Sequence, residues 1–393
     1  MTAPATSRFP AILIGGPPHS GKSVLARSLK ETLNQQQIEC YLLRAAPDGE
    51  GDWFYDAPTE VAQTERRKGT FTSTWIERMY HDIAYRPLPF LVDVGGQPKA
   101  WQEDIFDQCT HAILLIKDAA SRLLWQEIVE RYNLIVIAVL TSQLEGESRL
   151  ESEQSILQGT ITQLIRGQSA TGPVFEALLK RVSALFNYSH AELLNIHQSQ
   201  APTDLVVDII TMYRQLNSGR AEVRWQPEDL QDVFRYIPQD EPLALYGRGP
   251  AWLYAAVANY IHPHPFYQFD ARLGWVRPVS FTTTSGYQTP LDFATASTDR
   301  YVHLKFSLPE HYLDYQAELG LSLPNVSPDQ GVILNGRLPN WLYTGLTLFY
   351  HAAFWVAVYV PQLNQAIIVA SRDLIGPYSV GKSLGTEEFG GHN

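Results

Sequence analysis

Short apolar runs alternate with amphipathic segments over the first half of the chain. The runs AILIGG, CYLLRA, FLVDVGG, HAILLIKD and LIVIAVLTS begin at residues 11, 40, 90, 111 and 134. Segments with apolar residues at helical spacing lie between and after them, at 23–37, 120–133, 173–186 and 204–217. Continuous apolar strands that alternate with helices are typical of a parallel sheet covered on both faces. The pattern predicts an α/β domain with a mainly parallel sheet over residues 1–218.

The remaining chain contains a repeat. GRGPAWLY at 247–254 and GRLPNWLY at 336–343 are identical at six of eight positions. Around each copy we predict a strand, a polar segment, a second strand, a short helix and two further strands. The first strands are AEVRWQ (221–226) and YVHLKFSL (301–308). Two copies of so small an α/β unit are expected to pack together as a covalently linked pseudo-dimer, with units at 219–297 and 298–393.

The second copy includes a long apolar stretch. Residues 338–371 contain no Asp, Glu, Lys or Arg, and this length would permit a membrane span. The equivalent stretch of the first copy carries Pro, His, Asp and Arg, which a spanning helix would not tolerate. If the copies share a fold, this stretch is a buried helix followed by a buried strand, and no membrane contact is expected.

Composition restricts the class of partner. The 393 residues carry a net charge of −11, which argues against a sequence-independent grip on long nucleic acid. It leaves open a small anionic ligand in a local pocket. Two cysteines outside any C-x-x-C pair, and no secretory signal at the N-terminus, indicate the reducing cytoplasm.

GPPHSGKS at 16–23 matches the phosphate-binding loop G-x4-G-K-[ST], between an apolar strand and a helix. Backbone amides and the helix N-terminus would cradle phosphates, Lys22 would reach the terminal ones, and Ser23 would offer its hydroxyl to Mg²⁺. A chance match in a Gly-rich turn is the alternative. The residues expected to bind ATP are Gly16, His19, Ser20, Gly21, Lys22, Ser23 and Asp93.

Asp93 ends the apolar run FLVD, where an acid that orders Mg²⁺ is expected on a neighbouring strand. It could instead cap a turn, and Asp118 is a weaker candidate for the same role. No N-K-x-D motif follows a strand, so ATP is favoured over GTP. The sequence names no arginine finger, and it suits a small-molecule kinase about as well as an ATPase.

Each repeat carries Gly-Arg-x-Pro between a strand and a helix. Glycine permits a turn or a close approach, arginine offers a planar fork for phosphate, and proline suits a first helical turn. A helix N-terminus beside an arginine is an anion site, although a structural turn with a surface arginine has the same sequence. The candidate ligand-binding residues are Gly247, Arg248, Gly249, Pro250, Gly336, Arg337 and His351. The tryptophans that follow, Trp252 and Trp341, are expected in the core.

HPHPFYQFDARLG in the first copy groups residues able to act on a phosphodiester. His262 or His264 could move a proton, Arg272 could steady developing charge, and Asp270 could orient the histidine or hold a metal. A solvated turn with an Asp–Arg pair is the alternative. The second copy retains a histidine, His351, but has Val360 and Gln362 in place of the acid and base. We therefore expect the second copy to bind the ligand or to shape the site of the first copy, rather than to form a second complete site.

The segment GRGPAWLYAAVANYIHPHPFYQFDARLGW resembles the small CRISPR-associated ring nucleases of the Csx-three (Crn-three) type. Their pattern is a Gly-Arg-Gly-Pro-x-Trp-Leu turn, a His, then Asp-x-Arg-Leu-Gly. The resemblance implies a compact α/β domain that binds cyclic oligoadenylates of type III CRISPR defence and linearises cyclic tetra-adenylate with Mn²⁺. It further implies an oligomer whose ligand engages more than one protein unit. Some members are fused to an AAA-type ATPase, which fits the phosphate loop.

Carried over by residue, the family acid and base match Asp270 and Arg272, and its histidine matches His262 or His264. A further family histidine falls near Phe281, which puts that contribution in doubt. Two functions follow as hypotheses. The first is a ring nuclease regulated by ATP with Mg²⁺, with Mn²⁺ held in part by Asp270. The second is a cyclic-nucleotide receptor that controls an N-terminal ATPase or kinase.

Overall fold

A computed structural model describes residues 9–45, 73–95, 100–220, 222–282, 291–308 and 313–385. The chain divides into two compact units. The first consists of residues 1–195 together with the short segment Ala271–Gly274, and the second of residues 196–270 and 275–393. The two units are described separately.

The first unit is built on one sheet, mainly parallel, in the order β2-β3-β1-β4-β5-β7-β6 with β6 antiparallel at the edge. All five apolar runs predicted as strands lie in it, which confirms that prediction. The strand bounds are β1 Ala11–Gly15, β2 Tyr41–Arg44, β3 Phe90–Asp93, β4 His111–Ile116, β5 Ile135–Gln143, β6 Arg149–Ser152 and β7 Leu157–Thr162.

Helices follow the strands of this sheet as the alternating pattern predicts. They are α1 Lys22–Gln35, α2 Ser73–Ala84, α3 Ala119–Arg131, α4 Pro173–Leu185 and α5 His190–Gln198, with a 3-10 helix at Ala100–Gln108. Helix α1 places Leu25, Leu29 and Leu33 on one face, because residues three or four apart share a side of a helix. All three are fully buried in a core with strand residues of the sheet. This packing holds the start of α1 at the end of β1.

The second unit contains two larger sheets and a small one. The first sheet has the order β11-β10-β9-β8, the second β13-β14-β16-β17-β18-β19, and β12 pairs with β15. The strands are β8 Leu205–Asp208, β9 Leu243–Tyr246, β10 Phe266–Asp270, β11 Gly274–Val276, β12 Ser280–Thr282, β13 Asp292–Ser297, β14 Tyr301–Ser307, β15 Glu318–Gly320, β16 Gly331–Asn335, β17 Trp355–Val360, β18 Gln365–Ser371 and β19 Ser383–Gly385. The helices are α6 Ile209–Leu216, a 3-10 turn Pro227–Asp229, α7 Leu230–Tyr236, α8 Ala251–Ile261 and α9 Asn340–Phe349.

Two predictions about the start of the first repeat are wrong. Residues 204–217 are not one helix, because LVVD forms β8 and Asp208 then caps α6 by accepting from the Thr211 amide at 2.9 Å. Residues 222–226 are irregular rather than strand, and β8 takes the predicted place beside β9, with Leu205 opposite Leu243. Periodicity alone does not separate a short buried strand from the first turn of a helix.

Helices α8 and α9, one from each repeat, lie side by side and run in the same direction. At their N-terminal ends the Asn340 side-chain amide donates to the Gly249 carbonyl at 3.4 Å. At their C-terminal ends the rings of His262 and His351 stack with centroids 5.0 Å apart. Helix α8 also packs against β18 of the other repeat, and α9 against β12.

The apolar stretch of the second copy is a buried helix followed by a buried strand, as predicted. Helix α9 and strand β17 bury Leu346 and Val356 almost completely. Helix α9 has ten residues, far fewer than a bilayer requires. Among the residues that the structure describes, no helix is long and apolar enough to cross a membrane.

Candidate functional sites

Two glycines allow the predicted phosphate loop, residues 16–23, to adopt its shape. Gly16 has φ +150°, and a Cβ there would lie 2.3 Å from the Leu115 carbonyl oxygen. Gly21 has φ +82°, and a Cβ there would lie 2.5 Å from the Leu164 side chain. Any other residue would be both strained and obstructed at these positions. His19, at the exposed tip, also has positive φ (57°).

The loop presents donors that suit an anion. Gly21 precedes α1 without a side-chain cap, so the amides of the first turn remain available. The Lys22 ammonium donates to the carbonyls of Gly16 (2.9 Å) and Pro17 (2.8 Å), across the mouth of the loop. Ser20 is 1% exposed, and its hydroxyl has no hydrogen-bond partner among the described residues. A buried polar atom of this kind is expected to meet a ligand or water.

Asp93 lies beside the loop because β3 is the direct neighbour of β1, with Asp93 opposite Ile14. Asp93 is buried, and within the described residues no group bonds to its Oδ1 atom. A buried carboxylate oxygen and the Ser23 hydroxyl are oxygen ligands of the kind that Mg²⁺ prefers. The residues present therefore fit a nucleotide with its magnesium ion.

Arg44, which the sequence analysis missed, contacts both the Ser23 hydroxyl and the Asp93 carboxylate. Arg44 ends β2 opposite Asp93, and its Nη2 atom lies 3.2 Å from the Ser23 hydroxyl and 3.5 Å from Asp93 Oδ2. The sequence could have indicated this arginine, because it ends the apolar run CYLLR at the carboxyl end of a predicted strand. Parallel strands end at the same edge of a sheet, where nucleotides bind.

Asp118, the weaker candidate for the magnesium site, caps the N-terminus of α3. Its Oδ1 accepts from the Ser121 amide at 2.7 Å, and the Ser121 side chain completes a capping box at the start of α3. Hydrogen bonds from the Ser121 amide and hydroxyl lower the pKa of the Asp118 carboxyl. This carboxylate stabilises a helix end rather than facing the loop with Asp93.

The repeated Gly-Arg-x-Pro turns have the same construction in both copies. Gly247 (φ +104°) and Gly336 (φ +153°) both need positive φ. The Tyr254 hydroxyl donates to the Gly247 carbonyl, and Tyr343 repeats this bond to Gly336. The tyrosine and the glycine that both copies share therefore stabilise the turn through the same hydrogen bond.

The rest of the repeated motif starts the helices. Pro250 and Pro339 occupy the N-cap position, one residue before the predicted first turn, with φ near −65°. Trp252 (3% exposed) and Trp341 (1%) are core anchors, as expected. Only the arginine of the motif faces solvent in both copies.

The two turns adjoin. The bond from Asn340 to the Gly249 carbonyl joins the start of α9 to the residue after Arg248. Arg248 and Arg337 are both exposed, each just before a helix N-terminus. One surface therefore carries two guanidinium groups and two helix N-termini, all favourable to phosphate.

The predicted catalytic residues of the first copy do not all lie together. Strands β9 and β10 are parallel, with Gln268 opposite Leu245, so Asp270 at the end of β10 is at the edge that carries Gly247. His262 and His264 follow the other end of α8. Eleven helical residues span about 16 Å, so the histidines and Arg248 are too far apart to act on one phosphodiester within a single chain.

Arg272 is engaged elsewhere. It belongs to the first compact unit, where its Nε lies 3.9 Å from Asp82 Oδ2, and both side chains are largely buried. Phe281, where the resemblance would put a histidine, lies on β12 with its ring 5.7 Å from that of Phe349. Its position is used for aromatic packing.

The histidine pair joins a predicted catalytic residue to a predicted ligand-binding one. His351 Nδ1 lies 2.7 Å from the Leu348 carbonyl, which favours a proton on Nδ1 and leaves Nε2 as an acceptor. Burial and the neighbouring His351 lower the pKa of His262 below 6.5. His262 is therefore neutral, and able to accept a proton, over most of the physiological range.

The second copy has basic rather than acidic residues at its corresponding edge. Lys305 lies opposite Asn335, next to the Gly336 turn, and His303 Nε2 is 3.2 Å from the Asn335 amide nitrogen. Burial, and to a lesser extent Lys305, lower the pKa of His303. The sequence analysis did not single out these residues, because their alternation along β14 is ordinary for a half-buried strand.

Residues 219–285 and 307–384 match the family model described as CRISPR-associated protein (Cas_csx3). The match covers most of both repeats and, apart from the segment Ala271–Gly274, none of the first unit. The C-terminal region is therefore a CRISPR-associated, Csx-three-like region. In the described parts of the chain, no group of three or more His, Cys, Asp or Glu side chains is arranged to hold a metal ion.

Proposed function

We propose that the tandem region binds a cyclic oligoadenylate and linearises it, as a ring nuclease of type III CRISPR defence. The observation that carries the proposal is the bond from Asn340 to the Gly249 carbonyl, which brings the two Gly-Arg-x-Pro turns together. A ring of identical nucleotides presents phosphates on opposite sides. Two adjoining arginine turns of matched construction suit cyclic tetra-adenylate better than a single nucleotide.

Cleavage would require groups from more than one chain. The arginine turns and Asp270 lie at one end of α8, and His262 and His264 at the other. A ligand held on the arginine surface of one chain would meet the histidine end of another. The family resemblance, with a ligand that engages several protein units, supports a homo-oligomer assembled in this way.

The chemistry on the ring would be internal displacement. His262 or His264 removes the proton from a 2′-hydroxyl, whose oxygen attacks the adjacent phosphorus while the bond to the 5′-oxygen breaks. The products are a 2′,3′-cyclic phosphate and a 5′-hydroxyl, which takes up a proton. Arg248 and Arg337 steady the charge that develops on phosphate. Asp270 would hold Mn²⁺, which supplies further charge neutralisation when bound.

The first unit would bind ATP with Mg²⁺ and regulate this reaction. This is supported by Lys22 at the mouth of the loop, and by the Ser20 hydroxyl and Asp93 Oδ1, which are buried and have no hydrogen-bond partner among the described residues. AAA-type ATPases insert a strand between the loop strand and the strand of the magnesium acid. Here β1 and β3 are direct neighbours, which favours the arrangement of P-loop kinases and GTPases over an AAA-type core.

A receptor without ring cleavage is the second candidate. It is favoured by the engagement of Arg272 with Asp82 and by the aromatic packing of Phe281, because both remove groups from the nuclease site. In this case the tandem region would sense the ring and control the ATP-binding unit.

The test is incubation of the purified chain with labelled cyclic tetra-adenylate and Mn²⁺, with and without ATP. We expect linear products, and we expect Asp270→Ala to abolish them. Arg248→Ala and Arg337→Ala should each weaken ring binding by on the order of tenfold, whereas Arg235→Ala, an exposed arginine on α7, should not. An intact ring that binds tightly and stimulates ATP turnover would establish the receptor instead.

Complementation tests the shared site. A chain without both turn arginines and a chain without His262 and His264 should each be inactive. We expect an equimolar mixture to regain cleavage as mixed oligomers form. A mixture as inactive as its components would exclude a site formed between chains.

A further inference from the structure

We propose that Arg44 is an arginine finger supplied in cis, which contacts the terminal phosphate of the bound nucleotide. This inference rests on the ATP-binding function proposed above. Its guanidinium lies 3.2 Å from the Ser23 hydroxyl and 3.5 Å from Asp93 Oδ2. These are the two side chains that flank the terminal phosphates in a loop of this type, so Arg44 is already inside the site.

The position of Arg44 is built into the sheet. Strand β2 pairs with β3 in parallel register, with Arg44 opposite Asp93, and β3 pairs with β1, with Asp93 opposite Ile14. The arginine side chain is 9% exposed and the Asp93 side chain 3%. A largely buried guanidinium on a rigid strand end loses little freedom when it binds, in contrast to an arginine on a surface loop.

The contacts of Arg44 imply a change on nucleotide binding. The Ser23 hydroxyl and the Asp93 carboxylate are also the oxygen ligands that fit Mg²⁺, so in a loaded site both would face the nucleotide. Arg44 would then lose its present partners while it remained beside the phosphates. Its planar donors match phosphate oxygens, and an arginine that meets the terminal phosphate stabilises the charge of phosphoryl transfer.

The prediction is discrimination between nucleotides that have or lack the third phosphate. In the presence of Mg²⁺, we expect Arg44→Ala to weaken binding of a non-hydrolysable ATP analogue by on the order of tenfold. Binding of ADP should change by less than about threefold, because its phosphates are held by the loop amides and Lys22. Calorimetry on the full chain measures both affinities, and it does not depend on turnover.

Three further variants sharpen the test. Arg44→Lys keeps the charge and loses the planar fork, so we expect an intermediate loss for the ATP analogue. Arg27→Ala is the matched control, since Arg27 lies on α1 just beyond the loop in a partly exposed pair with Glu31 and should change neither affinity. If Arg44→Ala does not fold, Arg44→Lys and Arg44→Gln carry the same comparison.

The outcomes separate this inference from the function on which it rests. If the wild-type chain binds neither nucleotide, both are overturned. If it binds both and Arg44→Ala weakens them equally, or weakens neither, ATP binding stands and Arg44 is not a contact of the terminal phosphate. A selective loss for the ATP analogue, with ADP affinity retained, supports the inference.

Discussion

The two repeats of the second unit share a framework and differ in chemistry. Both have a positive-φ glycine bonded by a tyrosine, a proline N-cap, a buried tryptophan and an exposed arginine. The first repeat ends β10 in Asp270, whereas register aligns that position with Val360 at the end of β17. Beside the strand that leads into each Gly-Arg-x-Pro turn, the first repeat has Asp208 opposite Tyr246 and the second has Lys305 opposite Asn335.

The difference shows which residues the backbone requires. Residues that determine the path of the chain recur, because a turn with positive φ and a helix start impose the same demands in each copy. Side chains that face solvent at the strand ends are free to diverge. We infer that the first repeat supplies the acid and the second adds positive charge, so that one ligand would meet two unlike halves.

The largest expected effect is on cleavage by the histidines. If the first repeat supplies the general base, His262→Gln or His264→Gln should lower the cleavage rate by about 10²–10⁴-fold. His351→Gln should lower it by less than about tenfold at pH 8, because His351 is the neighbour rather than the base. Single-turnover rates on cyclic tetra-adenylate provide the comparison. Equal losses for His262 and His351 would mean that the repeats are chemically equivalent.

The two glycines should differ in their effect on stability. An added Cβ at Gly336 would lie 2.7 Å from the Phe306 carbonyl oxygen, whereas at Gly247 the nearest atom is 3.4 Å away. We expect Gly247→Ala to lower the free energy of unfolding by about 1–3 kcal/mol from strain. Gly336→Ala adds a clash with the backbone and should cost on the order of 3–4 kcal/mol.

Urea unfolding followed by tryptophan fluorescence measures this pair. Gly219→Ala is the control, since a Cβ there meets nothing within 4 Å. If Gly247→Ala lowers the free energy of unfolding by more than Gly336→Ala does, the predicted clash between a Cβ at position 336 and the Phe306 carbonyl does not occur.

The smallest effect concerns pH. Burial first, and His351 second, lower the pKa of His262 below 6.5, so the neutral base persists into mildly acidic solution and cleavage falls only as pH drops through the lowered pKa. His351→Gln removes one cause, which raises the pKa of His262 and shifts this fall to higher pH. The same lowered pKa contributes stability that is present above pH 6.5 and lost on acidification.

Rate profiles between pH 5 and pH 8 for the wild type and His351→Gln test the coupling. The ratio of the wild-type rate to the His351→Gln rate should be smallest near pH 8 and should grow towards pH 6. Profiles that coincide throughout would show that the stacked pair does not tune the base, or that His264 is the base.

The predicted site residues differ in how far the sequence indicates their positions. The residues of the predicted phosphate loop and of each Gly-Arg-x-Pro turn are contiguous, and local geometry keeps them close together. HPHPFYQFDARLG is also contiguous, yet a strand of five residues separates its histidines from Asp270 and moves them to opposite edges of a sheet. Proximity in sequence was misleading there, because an extended strand adds about 3.3 Å per residue.

By itself, the sequence determined the apolar strands of the first unit, the turn conformation at Gly16 and Gly21, and the repeated turns. Each of these features depends on backbone sterics or on the spacing of hydrophobic residues, and both are local properties of a few neighbouring residues. Tertiary structure alone decided that Arg44 meets Ser23 and Asp93, that α8 and α9 run in the same direction, and that Arg272 pairs with Asp82. These contacts join residues far apart in the chain, and they arise only when strands pair and helices pack.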